Sequence, residues 1–297
     1  MTGEKHFAFL SFHPISAFIY LLTVIVIGMF VSNPIVISLL LISGSIFCAM
    51  LRGRKFFYDI PFYFALFVII SLINPIFSHN GVTPLFFLNG NPVTLEAVFY
   101  GMNISAVMIS TLIWCTAFSA VMTSERIMCV FGRILPKSSL VISMSLRFLP
   151  LFKSKWHEIS CAQKALGYYS EKGFVSKISN SARVFSALIS WALENSVDTG
   201  AAMKARGYGL AGRTSFSVFR FETRDVVLSV FSAAFLAVSL FGIRYGYFTF
   251  RFYPQVARMD FSFWAVCFYA AFAVLVLIPP IFEIKEALHW KYLQSKI

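Results

Sequence analysis

Apolar residues in this chain come in continuous runs rather than in alternation. One run covers roughly Ile15 to Val31, a second Pro34 to Leu51 and a third Ile60 to Phe77. A fourth extends from about Val93 to Met122, a fifth from Val226 to Ile243 and a sixth from Phe261 to Phe282. At a helical rise of ~1.5 Å per residue, each is long enough to cross a bilayer core. The pattern predicts six transmembrane helices, because strands of an outer-membrane barrel read instead as short alternating segments. Ser32, Asn33 and Pro34 punctuate the first two runs into a helical hairpin. No small-residue cleavage pattern follows the first run, so it is expected to remain as a permanent helix rather than to act as a secretory signal.

The stretch Ser124 to Asp225 follows a different pattern. Its 102 residues carry 15 basic and 7 acidic side chains. Its apolar runs are too short to cross: Ser139 to Phe152 contains Arg147 and Pro150, and Val184 to Leu193 is shorter still. Met144, Phe148, Leu151, Phe152, Ile159, Ala162 and Leu166 form one helical stripe, and Ile178, Ala182, Phe185, Ile189 and Ala192 form another. Two long amphipathic helices are predicted, with Ser124 as the N-cap at the start of the region. Each apolar face must be covered by the other helix, by the membrane surface or by a partner. The expected fold is an all-α membrane protein with about six transmembrane helices and long amphipathic cytoplasmic helices. It divides into N-terminal transmembrane helices (1–123), a cytoplasmic region (124–225) and a C-terminal transmembrane hairpin with its tail (226–297).

Composition agrees: 58% of the 297 residues are hydrophobic and 13% charged, against ~25% charged in soluble domains. With the N-terminus in the cytoplasm, 22 of the 25 Lys and Arg fall inside, and both termini are then cytoplasmic. The three that fall outside, Arg244, Arg251 and Arg258, share one loop. The net charge of +12 therefore reads as an orientation and headgroup signal; no aromatic-studded soluble domain accompanies it, and nucleic acid is not an expected partner.

Several chemistries lack their parts in the sequence. Glu96, at the edge of the fourth run, is the one ionisable residue among the fourth, fifth and sixth runs, which leaves an ion or proton pathway nothing to build with. His6, His13, His79, His157 and His289 all lie outside the runs, so neither a haem nor an intramembrane metal cluster is expected. Cys48, Cys115, Cys129, Cys161 and Cys267 contain no C-x-x-C pair and read as small hydrophobes. Gly44 between Ser43 and Ser45 suggests a membrane serine protease only superficially, since no His lies in a span to activate a serine. Gly207, Gly209 and Gly212 spell G-x-G-x-x-G, yet helix formers precede them and none follow. A dinucleotide site needs the reverse order. Gly207 reads instead as a helix stop.

The two amphipathic helices close on similar sequences. The first ends Ala162-Gln163-Lys164-Ala165-Leu166-Gly167-Tyr168 and the second Ala202-Met203-Lys204-Ala205-Arg206-Gly207-Tyr208. Both have small residues, a glycine stop and a basic side chain in the last turn. A solvated Arg206 would be favoured there by the helix dipole alone, by ~0.3–1 kcal/mol. The functional reading is a pair of protruding tips that dock into grooves of a two-fold partner.

At these residues the sequence resembles the transmembrane T component of energy-coupling factor transporters, the family that includes the cobalt-transporter subunit CbiQ. The resemblance runs from about Asn91 to Asp225. It is carried by Val93-Thr94-Leu95-Glu96-Ala97, Ser145-Leu146-Arg147-Phe148-Leu149-Pro150, the Ala-Gln-Lys-Ala-x-Gly ending, and Ala205-Arg206-Gly207-Tyr208 followed by Gly212-Arg213-Thr214 and Asp225.

The resemblance implies a non-catalytic scaffold in a prokaryotic cell (inner) membrane. Such a scaffold joins two ABC-type ATPases to a membrane S component that takes up a vitamin or metal ion. No cofactor would bind the chain directly, ATP being hydrolysed by the partner subunits. The region 124–225 would hold the coupling helices. Docking would fall to Lys164, Ala165, Leu166 and Gly167 at one tip and Ala205, Arg206 and Gly207 at the other. Arg147 and Pro150 would shape the bend of the first coupling helix. Arg206 matches the family's second docking arginine, whereas Leu166 stands where the first would be. Lys164 could substitute there only as a point charge, without a bidentate fork.

Two other readings are open. A membrane-embedded enzyme acting on lipid or isoprenoid substrates would want paired acids, but Glu125, Glu158, Glu171, Glu194 and Asp198 are scattered singly. The permease of an ordinary ABC transporter would want polar, substrate-lining spans.

Overall fold

The computed structural model describes residues 8–78, 81–88, 91–167, 173–208, 210, 221–259 and 261–295. The helices are α1 (Ala8–Ser11), α2 (Pro14–Phe30), α3 (Pro34–Arg52), α4 (Arg54–Phe77), α5 (Leu95–Val121), α6 (Ser124–Ile134), α7 (Pro136–Ala165), α8 (Phe174–Ala205), α9 (Thr223–Arg244) and α10 (Phe263–Gln294). Two strands, β1 (Pro84–Leu88) and β2 (Asn91–Thr94), pair antiparallel before α5, with Pro84 opposite Thr94 and Leu88 opposite Asn91. The expected all-α membrane architecture holds. Among the described residues five helices (α3, α4, α5, α9 and α10) are long and apolar enough to cross a membrane, while α2 is apolar but only 17 residues long.

The chain forms two compact units: Met1–Val130 with Phe219–Ile297, and Phe131–Val218. In the first, local chemistry sets the helix starts. Asn33 Oδ1 accepts from Ile35 N–H at 3.0 Å, with Pro34 behind it at the first helical position. Thr94 Oγ1 caps α5 by accepting from Ala97 N–H at 3.3 Å. The core is built around α2, whose Tyr20, Leu21 and Val24 are fully buried, and continues through Phe47, Trp114, Phe248 and Phe272. The opposite face of α2 carries the exposed Ile19, Leu22, Val26 and Met29.

Close approach in this unit has identifiable causes. A Cβ on Gly44 would come within 2.6 Å of the Trp114 indole, whose Nε1–H donates to Leu40 O at 3.0 Å. Gly44 thus serves the packing of α3 on α5. In α10, Pro279 and Pro280 have no N–H to give the carbonyls four residues back, Leu275 and Val276. Both carbonyls are supplied from outside: the Tyr20 hydroxyl donates to Leu275 O and Ser43 Oγ to Val276 O. An unpartnered carbonyl here would cost ~1–3 kcal/mol.

In the second unit α7 and α8 pack along one seam. Phe148 stacks on Phe152, and Phe152 meets Trp191 edge-on at 5.9 Å. Lys155 Nζ lies 5.8 Å above the Trp191 ring. Asn180 and Val184 are the buried residues of α8. The second predicted stripe is not this seam, since Ile178, Phe185 and Ile189 are exposed. Of the first stripe, Met144, Phe148, Phe152 and Ile159 are half-buried, whereas Leu151, Ala162 and Leu166 are exposed. Two faces of α8 can therefore pack, and the seam uses the one that carries Asn180, Val184 and Trp191.

The predicted N-cap moves by one residue. The Thr123 carbonyl accepts from Ile127 N–H at 3.0 Å, so Thr123 holds the cap position and Ser124 is the first residue of α6.

Candidate docking site

Both long helices of the second unit stop by the same mechanism. At the end of α7, Leu166 (φ −77°, ψ 2°) donates its N–H to Ala162 O at 3.1 Å, and Gly167 (φ 81°) donates to Lys164 O at 3.1 Å. At the end of α8, Arg206 (φ −80°, ψ 8°) donates to Ala202 O at 3.1 Å, and Gly207 (φ 76°) donates to Lys204 O at 3.0 Å. Tyr208 N–H then reaches Met203 O at 3.0 Å, completing a Schellman motif. Glycine is needed at both positions because the left-handed region penalises any Cβ by ~1–2 kcal/mol.

What the two stops present differs. Lys164, Ala165, Leu166 and Gly167 are exposed, and so are Ala205 and Arg206, while Gly207 is half-buried. Leu166 has 74% of its surface open. At the equivalent backbone position Arg206 extends a guanidinium. Nearby, Gln163 Oε1 is buried with no hydrogen-bond partner among the described residues.

Arg147 and Pro150 are both exposed, in the middle of α7. They lie 19 and 16 residues before Leu166, or roughly 24–29 Å along the axis, and so belong to the shaft of the helix rather than its tip. Pro150 withholds a donor from the Leu146 carbonyl, and α7 continues through it. Of the other motif residues, Tyr168, Gly209, Gly212, Arg213 and Thr214 lie outside the described residues, as do His6 and His79. Among the described residues no group of three His, Cys, Asp or Glu could hold a metal ion.

A second constellation escaped the sequence reading. The link between α1 and α2 is held by one buried charge from each of three helices. Glu283 of α10 accepts from Phe9 N–H at 3.0 Å, and Asp225 of α9 accepts from His13 N–H at 2.7 Å. Arg126 of α6 donates to the carbonyls of Leu10 and, at 3.2 Å, Phe12. Burial pulls the Arg126 guanidinium below its ordinary value. Asp225 also accepts from Glu222 N–H at 2.9 Å and so closes the first turn of α9. Arg126 stands just before the chain enters the second unit, and Asp225 just after it returns. Both crossings are thus tied within the first unit to the same short link. Asp225 was visible as a motif residue. Arg126 gave only the faint signal of a lone arginine one turn beyond a span.

Comparison with known proteins bears on both units. A protein-family model described as cobalt transport protein, CbiQ, matches residues 10–217. An energy-coupling factor transporter transmembrane protein EcfT from Staphylococcus aureus is 24% identical over 197 residues, 62% of this chain and 72% of that one. The EcfT proteins of Lactobacillus helveticus and Listeria innocua are 31% and 35% identical over 100 and 108 residues, about a third of this chain. Those shorter matches span 36% and 40% of the relatives' own lengths. With the family model covering well over half of its length and its apolar helices able to cross a membrane repeatedly, the chain is a multi-pass membrane protein that belongs to the CbiQ family of energy-coupling factor transmembrane components.

Proposed function

We propose that this chain is the coupling scaffold of an energy-coupling factor importer. Two ABC-type ATPases dock on the tips of α7 and α8, and a membrane S component supplies the binding site for a vitamin or metal ion. The chain performs no chemistry of its own; ATP is hydrolysed in the partners, and closure of their dimer moves the two tips. Both termini and the α7–α8 region lie on the cytoplasmic side of a prokaryotic cell membrane. The observation that carries this reading is the repeated tip, two helix stops of one backbone geometry, one of which presents an exposed arginine.

The two tips make different docks. Arg206 offers a fork of donors suited to a carboxylate in its groove. Leu166 offers apolar surface, so its groove is lined by apolar side chains, with Lys164 contributing charge only at the rim. An unequal pair of ATPases, or one kind of ATPase with a tolerant groove, satisfies both tips. The exposed stripe Ile178, Phe185 and Ile189 on α8 is the surface assigned to the S component.

The experiment is co-purification of the tagged chain with its genomic neighbours, comparing wild type with Arg206→Glu. Recovery of two ATPase chains with wild type and their loss with Arg206→Glu supports the scaffold. Absence of any ATPase from the wild-type preparation overturns it.

A further inference from the structure

The α4–α5 and α9–α10 connections meet where Ser78 Oγ lies 3.4 Å from the Tyr253 hydroxyl, and they differ in kind. The second carries the exposed Arg251 and Arg258. The first carries no formal charge: from Ile60 to Leu95 the chain has no Asp, Glu, Lys or Arg. Large apolar side chains are exposed there instead. Val82, Leu85 and Phe87 have 56%, 55% and 69% of their surface open, and Ile76 and Phe77 at the end of α4 are exposed too.

The β1–β2 hairpin is fastened to the ends of both helices. Asn74 Nδ2–H donates to Ala97 O at 3.0 Å, which sets the end of α4 level with the start of α5. Leu95 N–H donates to Thr83 O at 3.0 Å, and Glu96, buried at the root, accepts from Thr83 N–H at 3.4 Å. Val93, opposite Phe86, is buried, whereas Phe87, opposite Pro92, belongs to the other face. Depth follows from α4. Arg54 and Lys55 at its start are exposed and mark one membrane boundary. A hydrocarbon core of ~30 Å takes up ~20 helical residues, so the other boundary falls near Ile76 and Phe77. The hairpin root lies at that level. Tyrosines, which are enriched at such boundaries, stand there too: the Tyr100 ring meets that of Tyr253 at 5.3 Å.

We propose that the β1–β2 hairpin lies in the membrane interface with Leu85 and Phe87 set into lipid, so that the partner of its open face is the bilayer itself. Three properties fit a lipid surface. Charge is costly at that depth, and the connection has no Asp, Glu, Lys or Arg. Backbone groups that leave water need partners, and the pairing of β1 with β2 supplies them within the hairpin. The apolar surface is also continuous, since Ile76 and Phe77 carry the exposed face of α4 up to the hairpin. Standing in water, the same hairpin would leave a patch of large apolar side chains uncovered.

The test is residue-resolved footprinting of the purified full chain in phosphatidylcholine nanodiscs, read by mass spectrometry. One reagent is hydroxyl radical generated in water; the other is a carbene from a diazirine carried on a phospholipid acyl chain. A synthetic peptide of residues 78–94 in water gives the unprotected oxidation rates. Leu85 and Phe87 are expected to lose most of their oxidation relative to the peptide and to acquire carbene adducts. Oxidation at the rate of the peptide puts the hairpin in water and overturns the proposal. Protection from both reagents shows a second copy of the chain covering this face, and overturns it equally.

Discussion

The ends of α7 and α8 share a backbone and differ in two side chains, Gln163 against Met203 and Leu166 against Arg206. Their terminal dihedrals agree within a few degrees and the same carbonyls are used, yet one tip shows Leu166 and the other Arg206. A glycine and two backbone bonds make each tip, and the residue before the glycine is where the two present different chemistry, apolar surface at Leu166 and a guanidinium at Arg206. The pair acts as an internal control, in which position is held constant while chemistry varies.

The largest effect is expected from Arg206→Glu, which sets like charge against the acidic groove assigned to this tip. ATPase recovery should fall by about a hundredfold, ~2.7 kcal/mol at ~1.4 kcal/mol per decade. Leu166→Arg makes the tips alike in chemistry and buries a charge against apolar surface. Recovery should drop by about tenfold in titrated pull-downs, whereas Leu166→Met should hold; a gain with Leu166→Arg would mean that the facing groove is acidic after all. Gly167→Ala and Gly207→Ala test the shared backbone and should each loosen the last turn by ~1–2 kcal/mol, read as losses of amide-exchange protection at the two helix ends, with the larger loss at Gly207, where a Cβ would also meet Leu210 Cδ1 at 3.1 Å. Unchanged protection in either variant would show that the left-handed glycine is not what stops that helix. Ser43→Ala, remote in sequence from both tips, should lower bundle stability by about 1 kcal/mol in detergent unfolding and leave ATPase recovery untouched.

The transmembrane helices were legible because lipid demands continuous apolar sequence, and the tips because a glycine after a basic last turn stops a helix by local rules. The β1–β2 hairpin was missed because Val93-Thr94-Leu95 reads as the start of an apolar run, although Asn89-Gly90 is itself a hairpin dipeptide. Periodicity located an apolar stripe on α8 but could not say which face meets α7. The seam uses Asn180, Val184 and Trp191, and the stripe is left open. The charges on the α1–α2 link were beyond any local rule, since Glu283 and Phe9 are 274 residues apart.

The double proline of α10 also orders events during synthesis. Tyr20 and Ser43, the hydroxyl donors, leave the ribosome with the first two long helices, whereas the carbonyls they satisfy arrive with the last. Until then the early helices hold two idle hydroxyls. If α10 entered lipid without them, it would carry two bare carbonyls at a cost of several kcal/mol each. Completion of the bundle is thereby tied to arrival of its C-terminal helix, and a nascent chain truncated before Phe263 lacks the contact that marks the fold as finished.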